Sequence, residues 1–221
     1  MTERRTFGPF NLLQAHAEEP PPAEFHARHE IGEQLRQLTD RLVRTKVDGQ
    51  QLATVKQSLA DLLAQFPVPD RQDSRAATKH LFSGQATVED VYQVMDYDVV
   101  AGAANPLMPP LHWSQQSPDG VAADVCYSDA YEGPPGRVHG GILALLLDGV
   151  LARAVHAGHR IGMTGTLSIR YLAASPLHEN LQARAHIVRQ EGRKTFVEGG
   201  VWCGDQQTVA AEGVWLMPKG V

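Results

Sequence analysis

The chain has 221 residues, 43% of them hydrophobic, so it is long enough to bury one substantial core and to carry an appendage. Its net charge of -5 and its isoelectric point near 6.0 argue against a nucleic-acid-binding protein, which would need a basic face. The charge is uneven, because residues 137–221 contain nine basic and six acidic side chains, a balance of +3. This C-terminal part therefore favours an anionic ligand.

The two cysteines, Cys126 and Cys203, provide no disulfide framework and are typical of a protein in a reducing compartment, so we expect a cytoplasmic location. Arg4 and Arg5 resemble the start of a twin-arginine export signal, but no apolar core of sufficient length follows them. The longest unbroken apolar run is also far shorter than the roughly 18 residues that a membrane span needs. We therefore expect neither export nor a membrane span.

Residues 1–25 are predicted to form a flexible arm. In residues 26–66 the apolar positions follow helical spacing in two stretches, which predicts a helical hairpin with one apolar face. These apolar positions are Ile31, Leu35, Leu38, Leu42, Leu52, Val55, Leu59, Leu62, Leu63 and Phe66. We interpret the hairpin as a structural appendage or a support for a dimer rather than as part of a catalytic site. Residues 67–104 are predicted to be a linker followed by an irregular segment.

Residues 105–221 are predicted to form the main domain. A strand candidate at 121–127 is followed by an almost wholly apolar helix from about 140 to 157. Four further strand candidates lie at 163–172, 181–190, 194–203 and 208–217, separated by turn-forming residues. One apolar helix and this set of strands predict an α+β fold, in which a curved antiparallel sheet wraps the helix and leaves it no solvent face.

One carboxylate lies two turns inside this apolar helix. Because burial of an unpaired carboxylate costs several kcal/mol, Asp148 is a candidate general base or nucleophile. At the start of the helix, His139, Gly140 and Gly141 follow an abrupt turn at residues 134–136, and the glycines let a ligand approach unpaired backbone N–H groups closely. The helix start is therefore a candidate oxyanion site.

Four features of the main domain follow one another along the chain. Residues 133–141 read Gly-Pro-Pro-Gly-Arg-Val-His-Gly-Gly, Asp148 follows, and then come Met163-Thr164 and the sequence Glu-Gly-Arg-Lys at 191–194. In combination they resemble the hotdog-fold acyl-CoA thioesterases. Within that superfamily the chain is most similar to the branch of the phenylacetate-pathway thioesterases and thioesterase superfamily member four. The resemblance covers roughly residues 105–217 and leaves the N-terminal hairpin outside.

The resemblance implies a role for each matching residue. Asp148 matches the catalytic carboxylate of the family, and Thr164 matches the hydroxyl that helps to place the attacking water. His139 and Gly140 match the turn that receives the thioester carbonyl, with the Gly140 backbone N–H as the main donor. The implied substrate-binding residues are Gly141 in the same turn, Arg170 at a position that contacts coenzyme A, and Arg193 and Lys194 in a turn that approaches the nucleotide phosphates.

The implied function is an acyl-CoA thioesterase of lipid metabolism, which releases a carboxylic acid and free coenzyme A from an acyl- or aryl-acyl-CoA and needs no metal or other cofactor. Two alternatives stay open, a non-catalytic acyl-CoA-binding hotdog protein and a hotdog acyl-CoA hydratase or dehydratase. A non-catalytic binder would have little use for Asp148, and hydratase chemistry would need a histidine that is free of the oxyanion turn. The sequence does not decide which acyl group the protein accepts, or whether Asp148 acts as general base or as nucleophile.

Helix geometry predicts a homodimer. Gly140 and Asp148 are eight residues apart, which is about 12 Å along the axis of one helix, so a single thioester cannot contact both in the same chain. Two helices running antiparallel across a two-fold axis would bring each helix start to the carboxylate of the other. The resemblance implies the same dimer, either alone or paired into a dimer of dimers.

Overall fold

A six-stranded antiparallel sheet wraps around one long helix in the computed structural model, which describes residues 6–66 and 73–219. The strands are β1 (His112–Ser117), β2 (Gly120–Cys126), β3 (Met163–Tyr171), β4 (Asn180–Glu191), β5 (Lys194–Cys203) and β6 (Gln206–Leu216). Their order across the sheet is β1-β2-β4-β5-β6-β3, so β1 and β3 are its edges. The predicted α+β architecture is confirmed, and five of the strands lie within two residues of their predicted bounds.

The described residues also form six α-helices, five before the sheet and one between β2 and β3. They are α1 (Leu12–Glu18), α2 (Ala23–Arg44), α3 (Gly49–Leu63), α4 (Asp73–Phe82), α5 (Val88–Asp96) and α6 (Gly140–Ala157). A short 3-10 helix, Asp129–Tyr131, follows β2 and leads towards the start of α6.

The central helix α6 has the predicted bounds, and one side of it fills the inner face of the sheet. Leu146, Leu147 and Leu151 are completely buried there, in the same core as Val197 and Val201 of β5. Burial of each such leucine contributes about 1.5–3 kcal/mol. Among the described residues, α6 alone is long and apolar enough to cross a membrane by length and composition, and in this fold it is the core helix of the sheet.

The opposite flank of α6 is only partly covered. Ala144, Leu145, Asp148 and Ala152 are half-buried, so the prediction of a helix without a solvent face is wrong for a single chain. The edge strand β3 beside this flank is exposed along most of its length, with Met163 66% exposed. A partly uncovered apolar flank next to an unpaired strand edge is typical of an interface.

The N-terminal helices correct the predicted arm and linker. The predicted arm contains α1 and the buried Phe7, and α4 and α5 lie in the predicted linker and irregular segment. Together they build a second small core from Phe7, Leu12, Ala15, Leu81, Ala86, Val91 and Met95. Each of these helices supplies only one or two of these residues, too few to establish a helical period, and therefore the pattern of one helix does not reveal the core. Residues 1–5 of the arm and 67–72 of the linker lie outside the described residues.

Helices α2 and α3 fall in the segment predicted to form a hairpin, but they differ in how they are held. Arg36 of α2 donates to the Asn105 carbonyl at 3.0 Å, and Arg44 at its end lies 2.7 Å from the Asp129 carboxylate. Helix α3 buries none of its residues, and Leu63 is 71% exposed. The main domain therefore holds α2, whereas the apolar stripe of α3 is uncovered in this chain.

Candidate active site

A tight turn delivers the chain to the start of α6. Pro135 and Gly136 occupy its central positions, the Arg137 N–H donates to the Pro134 carbonyl at 3.0 Å, and Gly136 has a φ of +72°. This is a type II turn, in which proline suits the first central position and glycine the second. The Glu132 carboxylate accepts from the Gly136 N–H at 2.7 Å. The abrupt turn predicted from the sequence is therefore confirmed.

Two neighbouring segments hold this turn in place. The His139 N–H donates to the Tyr131 carbonyl and the Val138 N–H donates to the Ser175 carbonyl, both at 2.9 Å. Gly133 allows the close approach of the turn, because a Cβ there would lie only 2.8 Å from the His139 Cα. The start of α6 is thus fixed between the 3-10 helix and the loop after β3.

The first turn of α6 leaves one backbone donor free. His139 is the N-cap, and its Nδ1 accepts from the Gly141 N–H at 3.0 Å, which requires a neutral ring protonated at Nε2. The His139 carbonyl accepts from the N–H groups of Ile142 and Leu143. Within the part of the chain that the structure describes, the Gly140 N–H donates to no atom. The expected row of free N–H groups is therefore reduced to one, at the positive end of the helix dipole.

Tyr171 of β3 contacts the same glycine, although nothing in the sequence singled it out. Its hydroxyl donates to the Gly140 carbonyl at 2.7 Å, and a Cβ on Gly140 would lie 3.3 Å from the ring. The ring therefore covers one side of Gly140 and limits the movement of the helix start. The only available signal was the alternation of β3, which puts Tyr171 on the face of the sheet that carries the helix.

The carboxylate and the predicted hydroxyl are in direct contact. The Thr164 hydroxyl donates to Asp148 Oδ1 at 2.8 Å, from a position next to a β-bulge between Thr164 and Thr166. Asp148 is half-buried, so the premise of a fully buried, unpaired carboxylate is wrong for the single chain. Among the described residues Oδ2 has no hydrogen-bond partner, and it remains able to accept a hydrogen bond from water.

The free donor and the carboxylate do not meet within one chain. Helix α6 runs without interruption from Gly140 to beyond Asp148, so their separation along its axis is about 12 Å. An oxyanion donor must lie about 3 Å from the reacting oxygen, and a base must reach the attacking water directly. Within one chain, the Gly140 N–H and the Asp148 carboxylate therefore cannot both act on the same carbonyl group.

Arg170 lies on the other face of the sheet from α6. Its neighbour Tyr171 faces α6, and because side chains alternate along a strand, Arg170 points outwards. It pairs with Ala210 of β6 and lines an outer groove of about 260 Å³ that also includes Ser168 and Glu212. The structure thus does not bring Arg170 together with Asp148 in one chain.

Arg193 and Lys194 lie at the exposed hairpin between β4 and β5, whose turn contains Gly192 at a φ of +56°. One guanidinium nitrogen of Arg193 donates to the Met217 carbonyl at 2.9 Å, so this side chain is already held by the end of β6. The hairpin is anchored near the end of α6 by Arg160, a residue that the sequence did not single out. Arg160 donates three hydrogen bonds of 3.0 Å, to Thr195 Oγ1, Gln190 Oε1 and the Gly192 carbonyl.

The second half of α6 carries two titratable groups that burial perturbs. Burial lowers the pKa of His156 to about 4, with a further contribution from the nearby Arg153 guanidinium. Burial also lowers the pKa of Arg153 to about 10, and its guanidinium lies 4.6 Å from the centre of the Trp113 ring. His156 is therefore neutral at physiological pH.

Among the described residues, no group of three or more histidine, cysteine, aspartate or glutamate side chains is arranged to hold a metal ion.

Comparisons with known proteins match the segment of the chain that carries these residues. The family model of the thioesterase superfamily matches residues 135–210, which contain the turn, α6 and the strands that follow. The acyl-coenzyme A thioesterases THEM4 of Mus musculus and Rattus norvegicus are each 32% identical over 88 residues, or 40% of this chain. The match spans 38% of the length of these curated relatives.

A solved structure extends the similarity to the N-terminal helices. A crystal structure described as a thioesterase superfamily protein is 31% identical and superimposes with a TM-score of 0.72. The alignment covers 90% of this chain and 93% of that chain, so the resemblance is not limited to residues 105–217. The chain therefore belongs to the thioesterase superfamily, and its sheet wrapped around α6 is a hotdog fold.

Proposed function

We propose that the protein is an acyl-CoA thioesterase, which hydrolyses an acyl- or aryl-acyl-CoA to a carboxylic acid and free coenzyme A. The observation that carries the proposal is the hydrogen bond between Thr164 and Asp148 on the uncovered flank of a helix whose first N–H is free. The names of the THEM4 relatives, acyl-coenzyme A thioesterases, support the same activity.

The Gly140 N–H is the proposed oxyanion donor. A thioester carbonyl is already electrophilic, because sulfur donates weakly into it, so stabilisation of the developing oxyanion is the main requirement. One such donor is worth about 2.7–4 kcal/mol in comparable sites. His139 supports this role by accepting the Gly141 N–H, which leaves the Gly140 N–H as the free donor of the first turn.

Asp148 is the proposed base or nucleophile. As a base, Oδ2 takes a proton from water while the water oxygen bonds to the carbonyl carbon, and collapse of the tetrahedral intermediate breaks the C–S bond and releases the thiolate. General base catalysis of this kind contributes roughly a hundred- to ten-thousand-fold in rate. As a nucleophile, Asp148 would form a mixed anhydride that water then hydrolyses. In both cases the Thr164 hydroxyl holds Oδ1 and so orients the carboxylate.

The complete site is proposed to form across a homodimer. The separation of about 12 Å between the donor and the carboxylate on one helix requires the two groups to come from different chains. The half-buried flank of α6 and the exposed edge strand β3 are adjacent, since Thr164 of β3 contacts Asp148 of α6. Pairing of two such surfaces about a two-fold axis gives two equivalent sites.

Coenzyme A is proposed to contact the hairpin between β4 and β5 through Lys194 and Arg193. The hairpin is exposed and carries two adjacent cations, and phosphate groups are strong acceptors for both. Roles for Gly141 and Arg170 in substrate binding stay predictions, as do the cytoplasmic location and the assignment to lipid metabolism. The pairing of two dimers also stays a prediction.

The test is release of free thiol from a panel of acyl-CoAs of increasing length, with phenylacetyl-CoA included and a thiol reagent as the readout. Turnover that depends on Asp148 supports the proposal, and the best substrate in the panel identifies the acyl group. Saturable binding of every acyl-CoA without thiol release would instead identify an acyl-CoA-binding protein. Hydration of an enoyl-CoA without thiol release would identify a hydratase.

A further inference from the structure

The residue after Asp148 is a glycine in the middle of a helix, a position where glycine is destabilising relative to alanine. The structure gives the reason. A Cβ on Gly149 would lie 2.6 Å from both Cβ and Cγ1 of Val100, closer than non-bonded carbon atoms approach. Val100 is 4% exposed and belongs to the main core. Its side chain thus occupies the space beside α6 that a side chain at position 149 would otherwise fill.

Val100 is presented by a turn with little freedom to move. Asp98 Oδ1 accepts hydrogen bonds from the N–H groups of Val100 and Ala101, at 2.9 and 2.8 Å. The Gly102 N–H donates to the Asp98 carbonyl at 3.0 Å, and a Cβ on Gly102 would collide with the Asp96 carbonyl. Hydrogen bonds to Asp98 and the close packing of Gly102 against Asp96 therefore hold the turn, and they fix the position of Val100.

The N-terminal helices hold this turn. Helix α2 packs on it at Gly32, where a Cβ would lie 3.1 Å from the Ala103 carbonyl oxygen. At the start of the turn, the buried Asp96 carboxylate contacts His29 at 2.6 Å and His16 at 3.4 Å. Burial raises the pKa of Asp96, but the hydrogen bonds from the two histidines outweigh it and leave the pKa below its ordinary value. The carboxylate that links the turn to α1 and α2 is thus charged.

We infer that Val100 is a positioning residue for Asp148, through its contact with Gly149. Thr164 of β3 holds the carboxylate on one flank of α6, and Val100 fixes the helix backbone one residue further on. Through this turn, the contacts of His16 and His29 with Asp96 and of Gly32 with Ala103 help to position Val100. The inference rests on the proposed function, because it assigns Val100 a role in the reaction of Asp148. Displacements of about 1 Å in reacting groups can cost about a hundred-fold in rate.

The test adds a side chain at position 149 and removes the side chain at position 100. In the full-length protein, Gly149→Ala adds a methyl group that displaces α6 or the turn by several tenths of an ångström. The kcat should then fall about tenfold or more while KM changes little, because the ground-state contacts with coenzyme A are elsewhere. Val100→Gly removes the obstructing atoms, so the double variant Gly149→Ala with Val100→Gly should recover at least several-fold in kcat over Gly149→Ala.

Gly158→Ala is the control, because it also adds a Cβ collision, against Cδ1 of Ile187, but at the C-cap of α6 and away from Asp148. Its kcat should stay at the wild-type value. Wild-type kcat in Gly149→Ala overturns the inference, and so does a double variant no faster than Gly149→Ala.

The melting temperatures of the wild type, Gly149→Ala, Val100→Gly and the double variant form a double-mutant cycle. This cycle tests the contact between Val100 and Gly149 without any assay of activity. Absence of turnover in the wild-type protein would overturn the proposed function. Additive changes in melting temperature would instead show that the side chains at positions 100 and 149 do not interact, which would overturn the contact itself.

Discussion

Tyr171 donates a hydrogen bond of 2.7 Å to the Gly140 carbonyl, and so ties the start of α6 to the end of the edge strand β3. Seven residues earlier, the same strand contacts the carboxylate of Asp148 through Thr164. The edge strand β3 therefore holds both Gly140 and Asp148 of α6. Formation of an interface at β3 would act directly on both residues.

The first prediction concerns the carboxylate. Asp148→Asn should lower kcat roughly a hundred-fold or more, because the amide keeps the shape of the side chain but can serve neither as base nor as nucleophile. Thr164→Ala should cost less, since Thr164 orients the carboxylate without taking the proton. Steady-state thiol release measures both, with circular dichroism to confirm folding and Asp205→Asn, in the turn between β5 and β6, as a control that should not change. Near-wild-type kcat in Asp148→Asn would remove the catalytic assignment.

The second prediction concerns the contact with the helix start. Tyr171→Phe removes one hydrogen bond, worth about 1 kcal/mol, and keeps the ring that covers Gly140. The kcat should fall several-fold with KM nearly constant, because the oxyanion donor becomes less well fixed. An unchanged kcat would mean that the ring alone positions Gly140.

The third prediction separates the two cations of the hairpin. Lys194→Ala should raise KM with little effect on kcat, because phosphate contacts bind ground and transition states alike. The increase should shrink in added salt, which screens exposed charges. Arg193→Ala should also lower the melting temperature, since Arg193 holds the Met217 carbonyl. Arg41→Ala on α2 serves as the control, and a fall in kcat at constant KM would contradict the docking role.

The fourth prediction is a dependence of stability on pH. The folded-state pKa of His156 is about 4, below the ordinary 6.5, so between these values the unfolded chain binds a proton that the folded chain does not. Its contribution to the free energy of unfolding is therefore complete above about pH 6.5 and is lost as the pH falls towards 4, by about 3 kcal/mol at most. Urea denaturation at a series of pH values in this range gives the free energy of unfolding at each pH. This free energy should change less with pH in His156→Gln than in the wild type, and an equal change in both proteins would contradict the effect.

The sequence predicted the parts of the fold that repeat locally. Five strands alternate, α6 is continuously apolar, and the motif residues lie on these elements, so their positions followed from pattern and resemblance. The polar edge strand β1 and the short helices α1, α4 and α5 have no such pattern, although the capping box of Thr87 and Asp90 marked the start of α5.

The contact of Val100 with Gly149 and the hydrogen bonds of Arg160 could not be predicted from the sequence. Each joins residues that are distant along the chain, and no local period encodes which surfaces meet. The partial exposure of Asp148 could not be predicted either, because an apolar helix does not reveal which flank the sheet leaves uncovered.

The fifth prediction tests the shared site with two inactive variants. Asp148→Asn removes the base, and Gly140→Pro removes the donor N–H at the first helical position, where proline is tolerated. The proline ring would come close to Tyr171, since a Cβ already lies 3.3 Å from it, so folding and dimerisation of both variants are verified first.

After the two variants are mixed and their subunits allowed to exchange, about half of the dimers should contain one chain of each kind. If each site takes its donor from one chain and its carboxylate from the other, a mixed dimer has one site with both lesions and one site with none. Activity should then return to about a quarter of the wild-type value. If each site belonged to a single chain, every site would keep a lesion and the mixture would stay inactive, even though size and exchange measurements verified mixed dimers.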